Sequence, residues 1–271
     1  MIRVLGAALR RLAMPKRKAA ALSDDRGVAQ SGAADYGFYA DQRYWARRYA
    51  DDAAAFEWFA SPAAVLPLLQ LLIPRGAAVL DMGCGTSGLL SAMRGGEPPH
   101  EGRLLGVDRS AAAVAELGRR STDVGEIEYA VADAADLSAL VADGELGAVV
   151  EKGTLAGLLA AEDGGALVAA VLTEAHRALG GNAGVIVSLS PWDPFSKNEA
   201  KNGLNVVQEL LLPPLQAAAR ASGHRYSCAV HSSETFAGTW AYVFTKRRRA
   251  NTRSAARSEE EGHVEISLHE H

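Results

Sequence analysis

Residues 79–88, VLDMGCGTSG, place an acid and three glycines directly after a short apolar run. Ordering a glycine costs more backbone entropy than ordering any other residue, so such a run needs a compensating gain. A strand that enters a tight glycine turn and then a helix brings backbone close to a ligand at the carboxyl edge of a sheet. Gly83 and Gly85 would leave no Cβ between backbone and ligand. The stretch therefore predicts a ligand site on an α/β sheet.

The composition narrows the class of protein. A chain of 271 residues can hold one large α/β domain or two small ones. The formal net charge of −4 argues against a nucleic-acid partner held by phosphate attraction. Cys84 and Cys228 are too few for a disulfide framework. No apolar run reaches the roughly 18 residues that span a bilayer, so no membrane association is expected.

The two ends of the chain differ from the middle in their charge and in their pattern of apolar residues. Residues 1–22 carry six basic residues and no acid, with apolar residues at helical spacing. Residues 1–35 are therefore either an organelle-transit segment or a disordered basic tail, which leaves mitochondrial and cytoplasmic locations open. Residues 246–271 are predicted to be a disordered charged tail. Residues 36–245 remain as the folded domain.

Within that domain, β-like runs alternate with helical stretches. This alternation predicts a doubly wound, mostly parallel α/β sheet covered by helices. Two more strand-like runs, HRYSCAV and TWAYVFT, predict a terminal antiparallel hairpin and seven strands in total. Before the first strand, an aromatic-rich helix is predicted over residues 36–62. A later helix, from residue 202, is predicted to break at Pro213 and Pro214.

Acids end three successive predicted strands, at Asp81, Asp108 and Asp133. Asp108 can accept both hydroxyls of a ribose, and Asp133 with Ala134 can meet the amino group of adenine. The negative charge of Asp81 would repel a pyrophosphate and attract a cationic amino group. The set predicts a ligand with an adenosine, no phosphate and a positively charged amino-acid end, which describes S-adenosylmethionine.

A second interpretation of the glycine turn stays open at this point. Gly83, Gly85 and Gly88 also satisfy the spacing G-x-G-x-x-G of dinucleotide-binding proteins. The alternative function is thus an NAD(P)-dependent oxidoreductase. It needs a substrate-binding domain, for which residues 190–245 are short.

The combination of DMGCGTSG, GVD, ADA and the closing hairpin resembles the seven-strand class I S-adenosylmethionine-dependent methyltransferases over residues 39–245. The resemblance implies a strand order of 3-2-1-4-5-7-6, with the cofactor above strands one and two. YWARRYADDAAAFEWF and VVEKGTLAGLLA further resemble a branch of protein-lysine N-methyltransferases. That branch contains enzymes for translation elongation factors and for citrate synthase, so the expected partner is a protein that carries the target lysine.

The resemblance also implies roles for individual residues. The N-terminal segment would line the cofactor with Trp45, Tyr49 and Trp58, and the turn would touch it at Gly83. Arg109 would join Asp108 at the ribose, Ala134 would join Asp133 at the adenine, and Lys152 would complete the pocket.

One position departs from the pattern of the branch. The motif KGTLDA is KGTLAG here, with Ala156 in place of an aspartate and Gly157 in place of the alanine. If that carboxylate handles the target amine, this chain has lost it. A methyltransferase-fold protein without activity, serving as a scaffold or assembly factor, is therefore a further alternative.

Methyl transfer from a sulfonium to an amine needs alignment and a dry pocket rather than a protein nucleophile. Trp45, Tyr49 and Trp58 suit such a site, because aromatic faces attract cations. Glu151, at the end of the fourth predicted strand, is a candidate catalytic residue that would steer the incoming ammonium. The alternative is that Glu151 forms a surface pair with Lys152. No metal site is expected.

Overall fold

The computed structural model describes residues 37–51, 55–122, 124–197, 202–236, 238–249 and 266–270. The α-helices are α1 Gln42–Asp51, α2 Pro62–Leu72, α3 Leu89–Arg94, α4 Ala111–Arg120, α5 Thr154–Leu158, α6 Gly164–Ala178, α7 Gly203–Val206 and α8 Leu212–Ala221. The strands are β1 Val79–Met82, β2 Leu104–Asp108, β3 Glu128–Val131, β4 Ala148–Lys152, β5 Val185–Ser190, β6 His224–Ser232, β7 Trp240–Arg248 and β8 Ile266–Glu270. The basic N-terminal segment, residues 1–35, lies outside the described residues.

The strands form one sheet in the order β3-β2-β1-β4-β5-β7-β6-β8. The first five strands along the chain pair in parallel, and β7 is antiparallel to both β5 and β6. This confirms the doubly wound, mostly parallel α/β fold, the order 3-2-1-4-5-7-6 for the first seven strands and the terminal hairpin.

The core lies on both faces of this sheet. In β1, Leu80 and Met82 pack in a cluster with α6 and α8, whereas Val79 packs in a second cluster with α2 and α3. Successive side chains of a strand point to opposite faces, so alternate residues join different clusters. Every residue of β1, β4 and β5 is buried, as expected for parallel strands covered by helices. The rigid sheet fixes the positions of its carboxyl ends.

The prediction of a charged tail over residues 246–271 is wrong at both of its ends. Strand β7 runs on to Arg248, and β8 adds a parallel edge strand to β6, with Cys228 paired to Ile266. Lys246 is buried, and its Nζ donates to the carbonyl oxygens of His176 and Leu179, 3.0 Å and 2.8 Å away, at the end of α6. A cation at a helix C-terminus is favoured by the exposed carbonyl dipoles, which explains why a lysine extends the strand here.

Two helix predictions are also corrected. The aromatic helix ends at Asp51, and residues 55–61 run in a non-helical path in which Phe59 has a φ of 60°. The later helix does not break at its prolines. A π-helical turn over Val207–Leu211 precedes α8, and Pro213 and Pro214 occupy the first turn of α8. Proline lacks the N–H that would continue a helical hydrogen-bond ladder, and both prolines directly follow the π-helical turn, where the regular α-helical ladder is already interrupted. No helix among the described residues is long and apolar enough to cross a membrane.

Candidate cofactor-binding site

A cavity opens at the carboxyl edge of the sheet, above β1, β2 and β4. Asp81, Asp108 and Asp133 all line it, together with Ala134 and Lys152. Because carboxyl ends of neighbouring parallel strands meet at one edge, three acids far apart in sequence share one hollow. The sequence prediction that these acids face a common cavity is confirmed, and their contacts with a cofactor stay a prediction.

Asp81 is the most deeply placed of the three acids. Only 3% of the residue is exposed. Burial raises the pKa of its carboxyl from 3.8 to about 7, although the charge of Lys152 pulls this pKa down. A carboxylate in this position is therefore short of compensating positive charge. The ammonium of an amino-acid ligand would supply that charge, as predicted from the sequence.

Asp108 holds the glycine turn in place. Its two oxygens accept hydrogen bonds from Gly85 N (2.9 Å) and Ser110 N (2.8 Å). Burial raises the pKa of the Asp108 carboxyl, and these backbone donors act against that rise. Each carboxylate oxygen has a second lone pair, so the acid can still receive ribose hydroxyls.

The structure places Arg109 differently from the sequence prediction. Its Nη2 lies 2.6 Å from Asp133 Oδ2, and Ala135 N donates to the other oxygen of Asp133 at 3.0 Å. Arg109 lines the same cavity as Asp108, but its guanidinium is directed to the predicted adenine site and not to the ribose site. Both side chains of this ion pair are nearly half exposed, which leaves it weak.

Most amides of the glycine turn are not free to bind a pyrophosphate. Five of its N–H groups are bonded within the protein: Gly83 and Cys84 to Val107 O (2.8 Å and 2.9 Å), Gly85 to Asp108, Ser87 to Cys84 O (3.0 Å) and Gly88 to Glu57 Oε1 (2.8 Å). A dinucleotide site needs such amides directed at phosphate. The geometry therefore opposes the dinucleotide interpretation.

The close approach predicted for Gly83 and Gly85 is to the protein itself. Both have positive φ, 74° and 52°. A Cβ on Gly83 would lie 2.0 Å from Thr154 Oγ1, and one on Gly85 would lie 2.5 Å from the hydroxyl of Tyr49. The glycines thus bring α5 and α1 onto the turn, and both residues also line the cavity.

Aromatic residues of the N-terminal segment form one wall of the cavity, among them Trp45, Tyr49 and Trp58. The ring of Trp45 stacks on Tyr49 (centroids 5.7 Å apart) and meets Trp58 edge-on at the same distance. Its indole N–H donates to Tyr39 O at 2.7 Å. These residues pack on one another and also face the cavity. The same side chains can therefore stabilise the N-terminal segment and line the ligand site.

Glu57 was missed by sequence reasoning, which treated FEWF as an aromatic motif. Its Oε2 accepts hydrogen bonds from Lys152 Nζ (2.7 Å) and Ser87 Oγ (2.8 Å), while Oε1 accepts from Gly88 N. Lys152 Nζ also donates to Trp58 O at 3.1 Å. The acid within FEWF was the only available sequence signal, because its partners are distant in the chain.

The catalytic prediction for Glu151 is wrong as stated, and so is the alternative of a surface pair. The residue is completely buried and does not line the cavity. Its carboxyl accepts hydrogen bonds from Ser188 Oγ and from Leu155 N at 3.1 Å. Burial raises its pKa from 4.5 to about 7. The side chain of Glu151 lies against the start of α5. Glu151 therefore supports the connection between β4 and α5 and cannot touch an incoming amine.

Part of the cavity wall is apolar. Ala156 and Gly157 line it, along with Leu158, Leu167 and Val171. Ala156, which replaces the expected aspartate, is 4% exposed and packs in the core cluster of α6. A methyl group at this position makes the wall less polar.

The strand order, the acids at three strand ends and the turn bonded to β2 together define a class I S-adenosylmethionine-dependent methyltransferase. Its cofactor supplies a methyl group on a sulfonium whose amino-acid end is cationic, and the buried acid at Asp81 fits that end. A family model described as a methyltransferase domain matches residues 73–236. The chain belongs to this methyltransferase domain family.

Two curated relatives carry a more specific name. EEF1A lysine methyltransferase 4 of Mus musculus is 32% identical over 127 residues, which is 46% of this chain and 48% of that protein. The protein of the same name from Bos taurus is 32% identical over 167 residues, 58% of this chain and 63% of that protein. The chain thus spans about half to under two thirds of the length of these relatives.

The solved structures to which the chain is similar include two S-adenosyl-L-homocysteine complexes of SAM-dependent methyltransferases. The enzyme from Thiobacillus denitrificans is 18% identical with a TM-score of 0.46, over 75% of this chain and 98% of that one. The enzyme from Geobacter sulfurreducens is 18% identical with a TM-score of 0.45, over 74% and 98%.

Proposed function

We propose that this chain is a protein-lysine N-methyltransferase, with a translation elongation factor of the EEF1A type or citrate synthase as its acceptor. The observation that carries the proposal is the identity of 32% to two proteins named EEF1A lysine methyltransferase 4. The aromatic wall of the cavity supports it, because rings attract both an ammonium and a sulfonium.

Different residues of the cavity bind different parts of the cofactor. Asp81 holds the amino group of the cofactor, Asp108 its ribose hydroxyls, and Asp133 with Ala134 its adenine. Lys152, whose Nζ has donated two of its three hydrogens, retains one for the cofactor carboxylate. Trp45, Tyr49 and Trp58 exclude water beside the reacting atoms.

The acceptor lysine must reach this site as a free amine. Removal from water lowers the pKa of a lysine, since the charged form loses more solvation than the neutral form. An apolar wall at Ala156 and Gly157 favours this loss of charge. The proton passes to solvent before the amine attacks in line, so no protein base is required.

The compartment follows from the acceptor. A mitochondrial location would suit citrate synthase, and a cytoplasmic location would suit the elongation factor. Deleting residues 1–35 from a fluorescent fusion tests this directly. Loss of an organellar signal on deletion supports the transit segment, whereas an unchanged cytoplasmic signal opposes it.

The function is tested by incubating the full chain with deuterated-methyl S-adenosylmethionine and purified EEF1A or citrate synthase, followed by peptide mass spectrometry. The expected result is a mass shift on one lysine, abolished when that lysine is arginine. Asp81→Asn is the matched inactive control. Labelling of neither protein nor any protein in a lysate, despite cofactor binding, would favour the scaffold alternative.

A further inference from the structure

Glu57 joins three parts of the molecule that are separate in sequence. It lies within residues 55–61, and its carboxylate bonds to Ser87 and Gly88 after the glycine turn and to Lys152 at the end of β4. The ion pair with Lys152 is largely buried, with exposures of 26% and 5% for the two side chains. Glu57 itself does not line the cavity, whereas its neighbours Phe56 and Trp58 do.

The path of residues 55–61 shows that this contact holds the backbone in place. Phe59 adopts a left-handed φ of 60°, which is costly for a residue with a side chain. Its ring lies 3.0 Å from the position of a Cβ on Gly153. Phe56 N also donates to Thr86 Oγ1 at 3.3 Å. Such a conformation persists only where the surroundings determine it, and Glu57 supplies three of those contacts.

The ion pair between Glu57 and Lys152 also affects ligand binding, because Lys152 lines the cavity. One donor of its ammonium goes to Glu57 and another to Trp58 O, so these bonds fix where the remaining donor points. The same positive charge lowers the pKa of Asp81. Lys152 therefore links the aromatic wall to the buried acid of the cavity.

We propose that Glu57 is a positioning residue that fastens the aromatic wall, Trp58 above all, onto the glycine turn and aims Lys152 into the cofactor cavity. Cofactor affinity then depends on a carboxylate that never touches the cofactor. The inference rests on the cofactor cavity and is independent of the acceptor protein.

The test measures the affinity of S-adenosylhomocysteine by calorimetry for the full chain and for Glu57→Gln, Lys152→Met and the double variant. Glu57→Gln should weaken binding about tenfold or more, because one partner of a buried pair is left alone. In the Lys152→Met background the same change should cost less than about threefold, since both act through one interaction. Glu101→Gln, which breaks an exposed pair with Arg75, is the matched control and should bind normally.

A second readout separates positioning from general stability. In the bound state, amide hydrogen exchange over residues 55–61 should accelerate in Glu57→Gln, with β1 and β4 unchanged. If Glu57→Gln fails to fold, Ser87→Ala carries the test, with the same direction and a smaller effect. Unchanged affinity, or an equal loss in the Lys152→Met background, would overturn the proposal. Failure of the unsubstituted chain to bind would instead overturn the cofactor assignment.

Discussion

The hydroxyl of Tyr49 lies where Gly85 leaves room for it: a Cβ on Gly85 would be 2.5 Å from that oxygen. The helix that carries Tyr49 and the turn that carries Gly85 therefore meet only if residue 85 has no side chain. Burial raises the pKa of Tyr49, with the charge of Asp108 acting in the same direction. The phenol thus stays neutral beside the turn.

Gly85→Ala should destabilise the protein by about 2–4 kcal/mol, because the new methyl clashes with Tyr49 and the positive φ disfavours alanine. Gly118→Ala is the matched control. It lies within α4 with nothing within 4 Å of the added Cβ, so it should stabilise by about 0.5–1 kcal/mol. Thermal unfolding measures both, and equal shifts would contradict the assigned contact.

Glu151→Gln should flatten the dependence of stability on pH. The folded protein raises the pKa of Glu151 from 4.5 to about 7, so between these values the native state binds more protons than the unfolded state. Stability from this group is hence greatest at low pH and falls as pH rises through the window, by up to about 3 kcal/mol. Urea unfolding from pH 4.5 to 8 should show a smaller decline in the variant. An identical decline in the variant and in the unsubstituted protein would show that a group other than Glu151 causes the pH dependence.

Arg109→Gln should change the affinity for S-adenosylhomocysteine by no more than about threefold, since an exposed ion pair contributes little. Asp133→Asn should weaken binding by about five- to tenfold, because a charged acceptor for the adenine amino group is lost. Calorimetry on both variants measures the difference. A larger loss of affinity for Arg109→Gln would support the ribose contact that the resemblance implied.

S-adenosylhomocysteine binding at pH 6 should release a proton. In the free protein burial raises the pKa of Asp81 to about 7, and the ammonium of the ligand would lower it again. Titration in two buffers of different ionisation enthalpy gives the proton count. Release near pH 6 and little release at pH 8.5 are expected, and a count of zero at both would exclude Asp81 as the partner.

Local patterns were sufficient to predict the first seven strands of the sheet and the acids that follow three of them. Asp81, Asp108 and Asp133 follow apolar runs, and parallel strands end at one edge, so the position of each acid follows from its strand. Glu57 could not be found in this way, because its pairing with Lys152 joins residues 95 positions apart. Only the folded chain brings a carboxylate of FEWF to the end of β4.

Glu151 and β8 show two other reasons why prediction fell short. The pair Glu151 and Lys152 resembles a solvated strand end, and only the register with Ser188 reveals the burial of the first acid. For β8, the sequence alternates apolar Ile266 and Leu268 with polar Ser267 and His269. Its charged surroundings concealed a pattern of period two that is typical of strands.

The most direct test is the affinity of S-adenosylhomocysteine for the unsubstituted chain and for Asp81→Asn, measured by calorimetry at pH 8. Asp143→Asn, which alters an exposed acid with 84% side-chain exposure, is the matched control. The account predicts tight binding that Asp81→Asn weakens roughly ten- to hundredfold, with NAD bound by none of the proteins. Equal affinities for all three, or a preference for NAD, would contradict it.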